Sequence, residues 1–113
     1  MAQLVKAAEL EAVSPADGIA RRIVVGDKLM LALIEIQPGH PVQPHSHPHE
    51  QMGYVVSGRV RFRAGSLHRE LGPGDLYAMS GGEEHGVEVL GQEPALLLDV
   101  FTPVRDDFLR SGR

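Results

Sequence analysis

The chain has 113 residues, of which 42% are hydrophobic and 23% charged, an ordinary globular composition that is large enough for one domain with its own core. Its 11 Lys and Arg residues against 15 Asp and Glu residues give a net charge of −4, which argues against nucleic-acid binding because that function requires clustered positive charge. The chain has no cysteine, so disulfides, thiolate catalysis and cysteine-ligated metal centres are excluded.

The sequence also lacks the apolar segments that membranes require. Its longest apolar runs are only a few residues, far short of a bilayer span. Lys6, Glu9 and Glu11 interrupt the first segment of the chain, which therefore contains no signal-peptide core. We expect a cytoplasmic protein with no membrane partner and no nucleic-acid partner.

The chain is divided into short segments by 13 glycines and 8 prolines, which is typical of an all-β sandwich or barrel. The pattern predicts, in chain order, a short helix over residues 4–12, strands over residues 19–25, 28–36, 54–56, 59–63, 67–71, 75–79, 85–90 and 95–101, and a short helix over residues 104–110. Residues 1–17 are expected to form an N-terminal segment, residues 18–109 the barrel, and residues 110–113 a C-terminal tail.

About eight strands in one small domain favour a closed or double-sheet antiparallel barrel, such as a jelly roll. Residues 59–63 show the strand pattern clearly, because Val60 and Phe62 fall on one face and three arginines on the other. A barrel of this size has an interior or a mouth that holds one small ligand. Strand patterning alone does not distinguish a jelly roll from a lipocalin-like or an OB barrel.

Five of the six histidines lie in two turn-rich stretches, residues 38–51 and 74–85. In an extended backbone His45 and His47 project to the same face, and neutral imidazole is the commonest metal ligand in proteins. Gln51 returns to the same point if the chain turns at Pro48. A single His-x-His is more often a plain surface loop, but the second stretch, a strand and a Gly-rich turn that end at His85, favours a metal site.

The two stretches together resemble the two motifs of the cupin superfamily. The first motif, G-x5-H-x-H-x3–4-E-x6-G, is matched by Gly39, His45, His47, Gln51 and Gly58, and the second, G-x5-P-x-G-x2-H-x3-N, by Gly74, Ser80, Gly82 and His85. Two motifs in the correct order on predicted strands are a specific signal. The resemblance implies an all-β, cupin-like jelly-roll barrel that binds one divalent metal ion through His45, His47, Gln51 and His85.

Three positions depart from the cupin motifs: Gln51 stands in place of Glu, Ser80 in place of Pro and Val89 in place of Asn. The last two affect turn stiffness and packing, whereas Gln51 changes the chemistry. Without a ligand carboxylate the ion keeps its full charge, which favours polarising a substrate oxygen over supporting a high-valent redox state. Glu50 and His49 stay open as alternatives to Gln51, because the neighbouring prolines disturb strand parity. The ligand set suits Zn, Ni, Mn or Fe(II).

A longer resemblance covers residues 18–109. Residues 97–109, together with residues 18–22 and 45–58, are similar to the small cupins known as pectin-degradation proteins, which also carry Gln at this ligand position. That resemblance implies a metal-dependent enzyme that opens 4,5-unsaturated uronate monosaccharides, small anionic sugars, to linear ketones, with Asp99, Phe101 and Arg105 as its functional residues. It also implies a homodimer paired through sheet edges. One departure is that the spacing from His47 to Gln51 is one residue shorter here.

The chemistry of the three functional residues fits these roles. Alternation places Asp99 on the same face as Leu97 and Phe101, so its carboxyl group would be a candidate general acid and base inside the barrel. Arg105 offers a planar fork for a substrate carboxylate, and Phe101 an apolar wall for a sugar face. Asp99 as a residue that caps a strand end, and Arg105 as a solvated helix charge, are the competing interpretations.

Two other functions stay open from the sequence. The first is a metal-dependent dioxygenase or isomerase that acts on another small substrate, and Gln51 disfavours the dioxygenase because such an enzyme requires a redox-active iron. The second is a non-catalytic cupin that binds a small molecule.

Overall fold

The computed structural model describes residues 2–110, without the side chain of Arg110, so residues 111–113 of the predicted tail lie outside the described part. Within it, two antiparallel sheets are formed by strands β1 Val13–Ala16, β2 Ile19–Val25, β3 Met30–Ile36, β4 Val42–His45, β5 Glu50–Ser57, β6 Arg59–Ala64, β7 Leu67–Leu71, β8 Leu76–Met79, β9 His85–Leu90 and β10 Ala95–Thr102. One short helix, α1 Asp106–Arg110, follows the last strand.

The six-stranded sheet has the order β1-β2-β3-β10-β5-β8, and the four-stranded sheet has the order β4-β9-β6-β7. Their inner faces supply a core cluster that consists of Ile36, Val55, Val60, Phe62, Met79, Val87, Ala95 and Leu97. A second buried cluster consists of Met30, Ala32 and Phe101. The predicted all-β jelly-roll barrel with little helix is therefore confirmed. None of the helices in residues 2–110 is long and apolar enough to cross a membrane.

Strand β10 lies in the middle of the larger sheet, between β3 and β5. Its residues alternate strictly between buried and half-buried positions, with Ala95, Leu97, Asp99 and Phe101 buried. Three of these four inward side chains are apolar, as a core strand requires. Asp99 is the exception, so the fold places one carboxyl group among apolar neighbours.

Strands β1 and β4 are absent from the sequence-based prediction. Both are four residues long, both contain proline, and both lie at the edge of a sheet, which is where a proline is tolerated in a strand. Strand β1 lies within the segment that the sequence places before the barrel, and it pairs with β2. Strand β4 matters for function because it ends at His45.

The predicted helix over residues 4–12 is wrong. Only Ala7–Glu9 form a single 3₁₀ turn there, and none of its residues is buried. A helix of this length is not stable in water without a face packed against the core. The second predicted helix, residues 104–110, is confirmed in shortened form as α1.

Candidate metal centre and cavity

Three histidines meet at one end of the space between the sheets. His45 ends β4 and His85 begins β9, and the two residues are register partners in the smaller sheet. His47 lies in the loop between β4 and β5, and the ring centroids of His47 and His85 are 4.9 Å apart. One ligand atom from each of His45, His47 and His85 lies within 4.8 Å of the other two.

Backbone carbonyl groups fix the orientation of all three imidazole rings. The Nδ1 atoms of His45, His47 and His85 lie 2.9, 3.1 and 2.9 Å from the carbonyl oxygens of Gln43, His49 and Glu83, respectively. Because a carbonyl oxygen only accepts, Nδ1 carries the hydrogen and each Nε2 keeps its lone pair. The buried Nε2 of His85 has no partner among the described residues. A converging set of unpaired nitrogen lone pairs is what a divalent metal ion requires.

Two of these histidines, His47 and His85, are also held in the neutral form that binds metal. Burial lowers the pKa of His47 to about 4, with the positive charge of Arg105 acting in the same direction. Burial likewise lowers the pKa of His85. Both rings are therefore uncharged at neutral pH and do not have to lose a proton before they bind a metal ion.

Gln51 lies on the histidine side of β5. Its side chain is buried, and its Oε1 lies 3.0 Å from Nε2 of His47. Since Nδ1 of His47 carries the hydrogen, this short distance joins two acceptors, which a shared cation would satisfy. About 3 Å is also the separation of two ligands that are each about 2.1 Å from one ion at a right angle. The shorter spacing from His47 thus still brings Gln51 to the histidines.

The two alternatives to Gln51 lie elsewhere. Glu50 is exposed, because it points to the opposite face of β5. His49 is half-buried beside His47, at a ring-centroid distance of 5.4 Å, and its carbonyl oxygen accepts the hydrogen bond from His47 Nδ1. The backbone of His49 therefore orients a candidate ligand.

Asp99 is 3% exposed and hydrogen-bonded within the site. Its Oδ1 accepts a hydrogen bond from the hydroxyl group of Tyr77. Burial raises the pKa of Asp99 to about 6, against the opposing effect of hydrogen bonds from Tyr77 and Gln51 and of the charge of Arg105. A carboxyl group with this pKa can both accept and donate a proton near neutral pH. Burial raises the pKa of Tyr77 as well, so its phenol stays a neutral donor.

Arg105 directly precedes α1 and is buried. Its Nε and Nη2 donate to Oδ1 and Oδ2 of Asp107 at 3.2 and 2.6 Å. Its guanidinium carbon lies 5.1 Å from the ring centroid of Phe101 and 4.0 Å from that of Phe108. Phe101 also contacts the ring of His47, edge to face, at 5.8 Å. Phe101 thus packs against both a candidate ligand and a candidate substrate-binding residue.

These residues surround one cavity of about 450 Å³ between the sheets, a volume suited to a small molecule. Its wall includes six of the seven residues expected from the sequence, namely His45, Gln51, His85, Asp99, Phe101 and Arg105. The seventh, His47, contacts Gln51, His85 and Phe101. The structure therefore brings all seven together.

Sequence reasoning missed three polar residues of this site: Arg21, Tyr77 and Asp107. Arg21 and Asp107 line the cavity, and Tyr77 contacts Asp99. Strand parity held a signal for Arg21, because Ile19, Arg21 and Ile23 share one face of β2 and the other two are apolar. Tyr77 resembles an ordinary core aromatic, and Asp107 one of two acids in the first turn of a helix.

Comparison with known proteins agrees with this fold and site. Residues 32–101 match the model of the cupin domain, and the chain belongs to the cupin family. Within that family it is homologous to KdgF: it is 38% identical over 95 residues to "Pectin degradation protein KdgF" of Dickeya dadantii (strain 3937), which covers 82% of this chain and 86% of that protein.

Two solved structures have the same fold over nearly the whole chain. The structure of KdgF from Halomonas sp. superposes with a TM-score of 0.89 at 31% identity and covers 96% of this chain and 99% of that one. An RmlC-like cupin from Shewanella frigidimarina NCIMB 400 superposes with a TM-score of 0.87 at 26% identity and covers 96% of each chain.

Proposed function

We propose that this protein is a metal-dependent enzyme that opens the ring of 4,5-unsaturated uronate monosaccharides and yields a linear ketone. The observation that carries the proposal is one cavity that brings together the histidine cluster, a buried carboxyl group and two arginines. A small acidic sugar offers oxygens to a metal ion held by the histidines and exchangeable protons to the buried carboxyl group. It also offers a carboxylate to the arginines. Similarity to a pectin degradation protein supports a substrate derived from pectin.

Asp99 is the proton carrier in this proposal. The reaction is an isomerisation in which the anomeric hydroxyl loses its proton, the bond between C1 and the ring oxygen breaks to leave an enolate, and the enolate becomes a ketone when C4 gains a proton. No atom is gained or lost, so one group that accepts and returns a proton is sufficient. The pKa of Asp99, about 6, is suited to both steps.

The other residues bind and orient. His45, His47, His85 and Gln51 would hold a divalent ion, which acts when bound as a Lewis acid on a substrate oxygen. The Tyr77 hydroxyl holds one oxygen of Asp99 in place. Phe101 is almost fully buried and lines the cavity, where it would form an apolar wall for the sugar.

Loss of the ultraviolet absorbance of 4,5-unsaturated galacturonate tests this function. We expect the purified protein to accelerate the loss above the spontaneous rate and a chelator to abolish the acceleration. Asp99→Ala should reduce the acceleration by about 100-fold or more, because it removes the general acid and base. Asp27→Ala is the matched control, since Asp27 is exposed in the turn between β2 and β3.

Elemental analysis of the same preparation separates the parts of the proposal. Stoichiometric metal without acceleration would retain the metal site and exclude this substrate. An equal loss of activity in Asp99→Ala and Asp27→Ala would exclude Asp99 as the proton carrier. A protein that binds no metal even after reconstitution, or an acceleration that a chelator does not affect, would contradict the role of the histidines.

A further inference from the structure

Arg21 occupies an unusual position for an arginine. It lies on β2 opposite Ile34 of β3, on the strand face that also carries Ile19 and Ile23, and it is only 8% exposed. Its side chain lines the same cavity as Asp99 and Arg105. A buried guanidinium group is costly unless a counter-charge and hydrogen-bond acceptors compensate it.

The described part of the protein does not supply that compensation. The buried Nε of Arg21 has no hydrogen-bond partner, and Arg21 takes part in none of the ion pairs found among residues 2–110. The nearby carboxylate, that of Asp107, gives both of its oxygens to Arg105. The Arg21 guanidinium carbon lies 3.6 Å from the ring centroid of Phe108, a contact that orients the group but offers it no acceptor.

The pairing of the charged groups in the cavity points in the same direction. Arg105 and Asp107 form a bidentate pair, and Asp99 bonds to the Tyr77 hydroxyl group, so Arg21 is the arginine of this cavity that has no carboxylate partner among the described residues. A planar anion that enters the cavity would provide the missing acceptors. The arginine fork matches a carboxylate in charge and geometry.

We infer that Arg21 is the residue that binds the carboxylate group of the sugar acid, with Arg105 beside it. The identity of the acid rests on the proposed function, but the presence of an anion site does not. In this arrangement Asp107 holds Arg105 and Phe108 holds Arg21, so α1 and the segment before it position both guanidinium groups. Arg21 thereby makes the cavity specific for acidic over neutral sugars.

Thermal unfolding with added ligand tests the site without requiring turnover. We expect D-galacturonate to raise the Tm of the wild type and D-galactose to leave it unchanged, because a ligand that binds only the folded state stabilises it. Arg21→Met should lose the shift. Arg22→Met is the matched control: Arg22 is the next residue on the opposite strand face, with its Nε bonded to the Leu10 carbonyl at 3.3 Å, and it should keep the shift.

Kinetics gives the second readout. Arg21→Met should raise the KM for unsaturated galacturonate by about 100-fold with a smaller change in kcat, as expected for a lost charged hydrogen bond in binding. The KM of Arg21→Lys should lie between those of the wild type and Arg21→Met, since an ammonium group keeps the positive charge but lacks the planar fork. The preference of the wild type for the free acid over its methyl ester should disappear in Arg21→Met, whereas a purely structural role would affect both compounds alike.

The outcomes separate this inference from the proposed function. A galacturonate shift that depends on Arg21, in a protein without turnover, would keep the carboxylate site and remove the ring-opening reaction. Turnover with an unchanged preference for the acid in Arg21→Met would overturn the inference and keep the reaction. An equal shift with inorganic phosphate would overturn the assignment to a sugar carboxylate. A Tm of ligand-free Arg21→Met well below that of Arg22→Met would show a structural role for Arg21 instead.

Discussion

Gln51 and Asp99 depend on each other at the centre of the site. Gln51 has its Oε1 beside His47, and its side-chain amide also lowers the pKa of Asp99 as a hydrogen-bond donor to that carboxyl group. An ionised carboxylate only accepts, so Asp99 takes the amide N–H and thereby turns the amide oxygen toward the histidines. A glutamate at this position, as in the usual cupin motif, would place two carboxyl groups side by side and penalise ionisation of one.

An exchange of the two functional groups tests this dependence. Asp99→Asn should weaken Zn²⁺ binding at least tenfold, because the new amide donor turns the Gln51 oxygen away from the metal site. In a Gln51→Glu background the same change should strengthen Zn²⁺ binding, since the amide introduced at position 99 then donates to the carboxylate introduced at position 51. Competition titration of the metal-stripped proteins with a chromophoric chelator measures all four affinities.

The decisive result is that Asp99→Asn changes the Zn²⁺ affinity in opposite directions in the two backgrounds. A weakening of similar size in both backgrounds would mean that only the negative charge of Asp99 matters. Asp107→Asn is the charge-matched control, because Asp107 lines the same cavity and its carboxylate accepts hydrogen bonds from Arg105. It should change the Zn²⁺ affinity in the same direction in the wild-type and the Gln51→Glu backgrounds. If Gln51→Glu alone fails to fold, the double variant with Asp99→Asn remains usable, because it carries a single buried carboxyl group at this pair of positions, as the wild type does. Failure of the double variant to bind Zn²⁺ would contradict the mutual dependence of residues 51 and 99.

The candidate metal-ligating histidines and Asp99 were predicted from the resemblance to the cupin motifs and to the pectin-degradation proteins, and residue spacing and strand parity agree with that prediction. His45 and His47 are two apart on an extended segment, and Asp99 alternates with apolar residues on β10. The partners of Asp99 and Arg105 were not predictable in the same way. Tyr77 meets Asp99 across 22 positions of the chain, and that contact depends on the order of strands in the sheet, which local patterns do not encode.

At the scale of the strands, apolar segments and the turn residues that flank them were enough to locate several strands. Strands β2, β7 and β9 begin and end at the predicted residues. Strand β5 is longer than predicted, because its first residues, Glu50 and Gln51, are polar and resemble a loop. Gln51 is polar for the site that it lines, so the pattern fails where the strand enters that site.

Strands β5 and β8 meet at a glycine that leaves room for Tyr77. Gly53 is the register partner of Tyr77, and a Cβ atom at residue 53 would lie 2.2 Å from the tyrosine ring. On its other side the ring stacks on Phe62, at a centroid distance of 4.3 Å. The missing side chain at Gly53 therefore allows the Tyr77 hydroxyl to reach Asp99.

Gly53→Ala should destabilise the protein by about 1–3 kcal/mol, because an added methyl group overpacks a filled site. It should also reduce turnover of the unsaturated uronate, since a displaced Tyr77 no longer holds Asp99. Chemical denaturation and the absorbance assay measure the two effects. Gly91→Ala is a useful comparison, because no atom lies within 4 Å of the Cβ position there and its cost is confined to backbone strain at a φ of 77°. Equal activity in both variants would contradict the role assigned to Gly53.

At the scale of the whole molecule, the larger sheet has an apolar outer face. Cross-strand pairing forms two rows across β3, β10, β5 and β8, which consist of Leu33, Leu98, Tyr54 and Leu76, and of Leu31, Val100, Met52 and Ala78. Four of these side chains and the adjacent Val56 are 39–72% exposed; the four are Leu31, Met52, Tyr54 and Leu76. Strands about 4.8 Å apart and rows about 6.8 Å apart give the two rows an area on the order of 250 Å². That is about a third of the area that a standard interface buries, about 800 Å² per partner, so the two rows would form the apolar centre of such an interface.

The homodimer expected from the sequence stays a prediction, and we place its contact on this face instead of at the sheet edges that the resemblance implies. The two rows contain no charged residue, so two copies can meet face to face about a two-fold axis without burying a charge. Light scattering after size exclusion should give about twice the 12.3 kDa of one chain. Met52→Lys should yield monomer, whereas Leu67→Lys, at an exposed position of β7 in the other sheet, should not. A monomeric wild type would contradict the prediction.

The three carbonyl groups that orient the imidazole rings belong to the backbone of residues 43, 49 and 83. No exchange of a side chain can remove these acceptors, so a substitution that leaves the loop backbone in place keeps the tautomers of the histidines. An insertion or a deletion between a histidine and its carbonyl would misalign them at once. The orientation of the candidate metal ligands is therefore more sensitive to the length of these two loops than to the side chains that the loops carry.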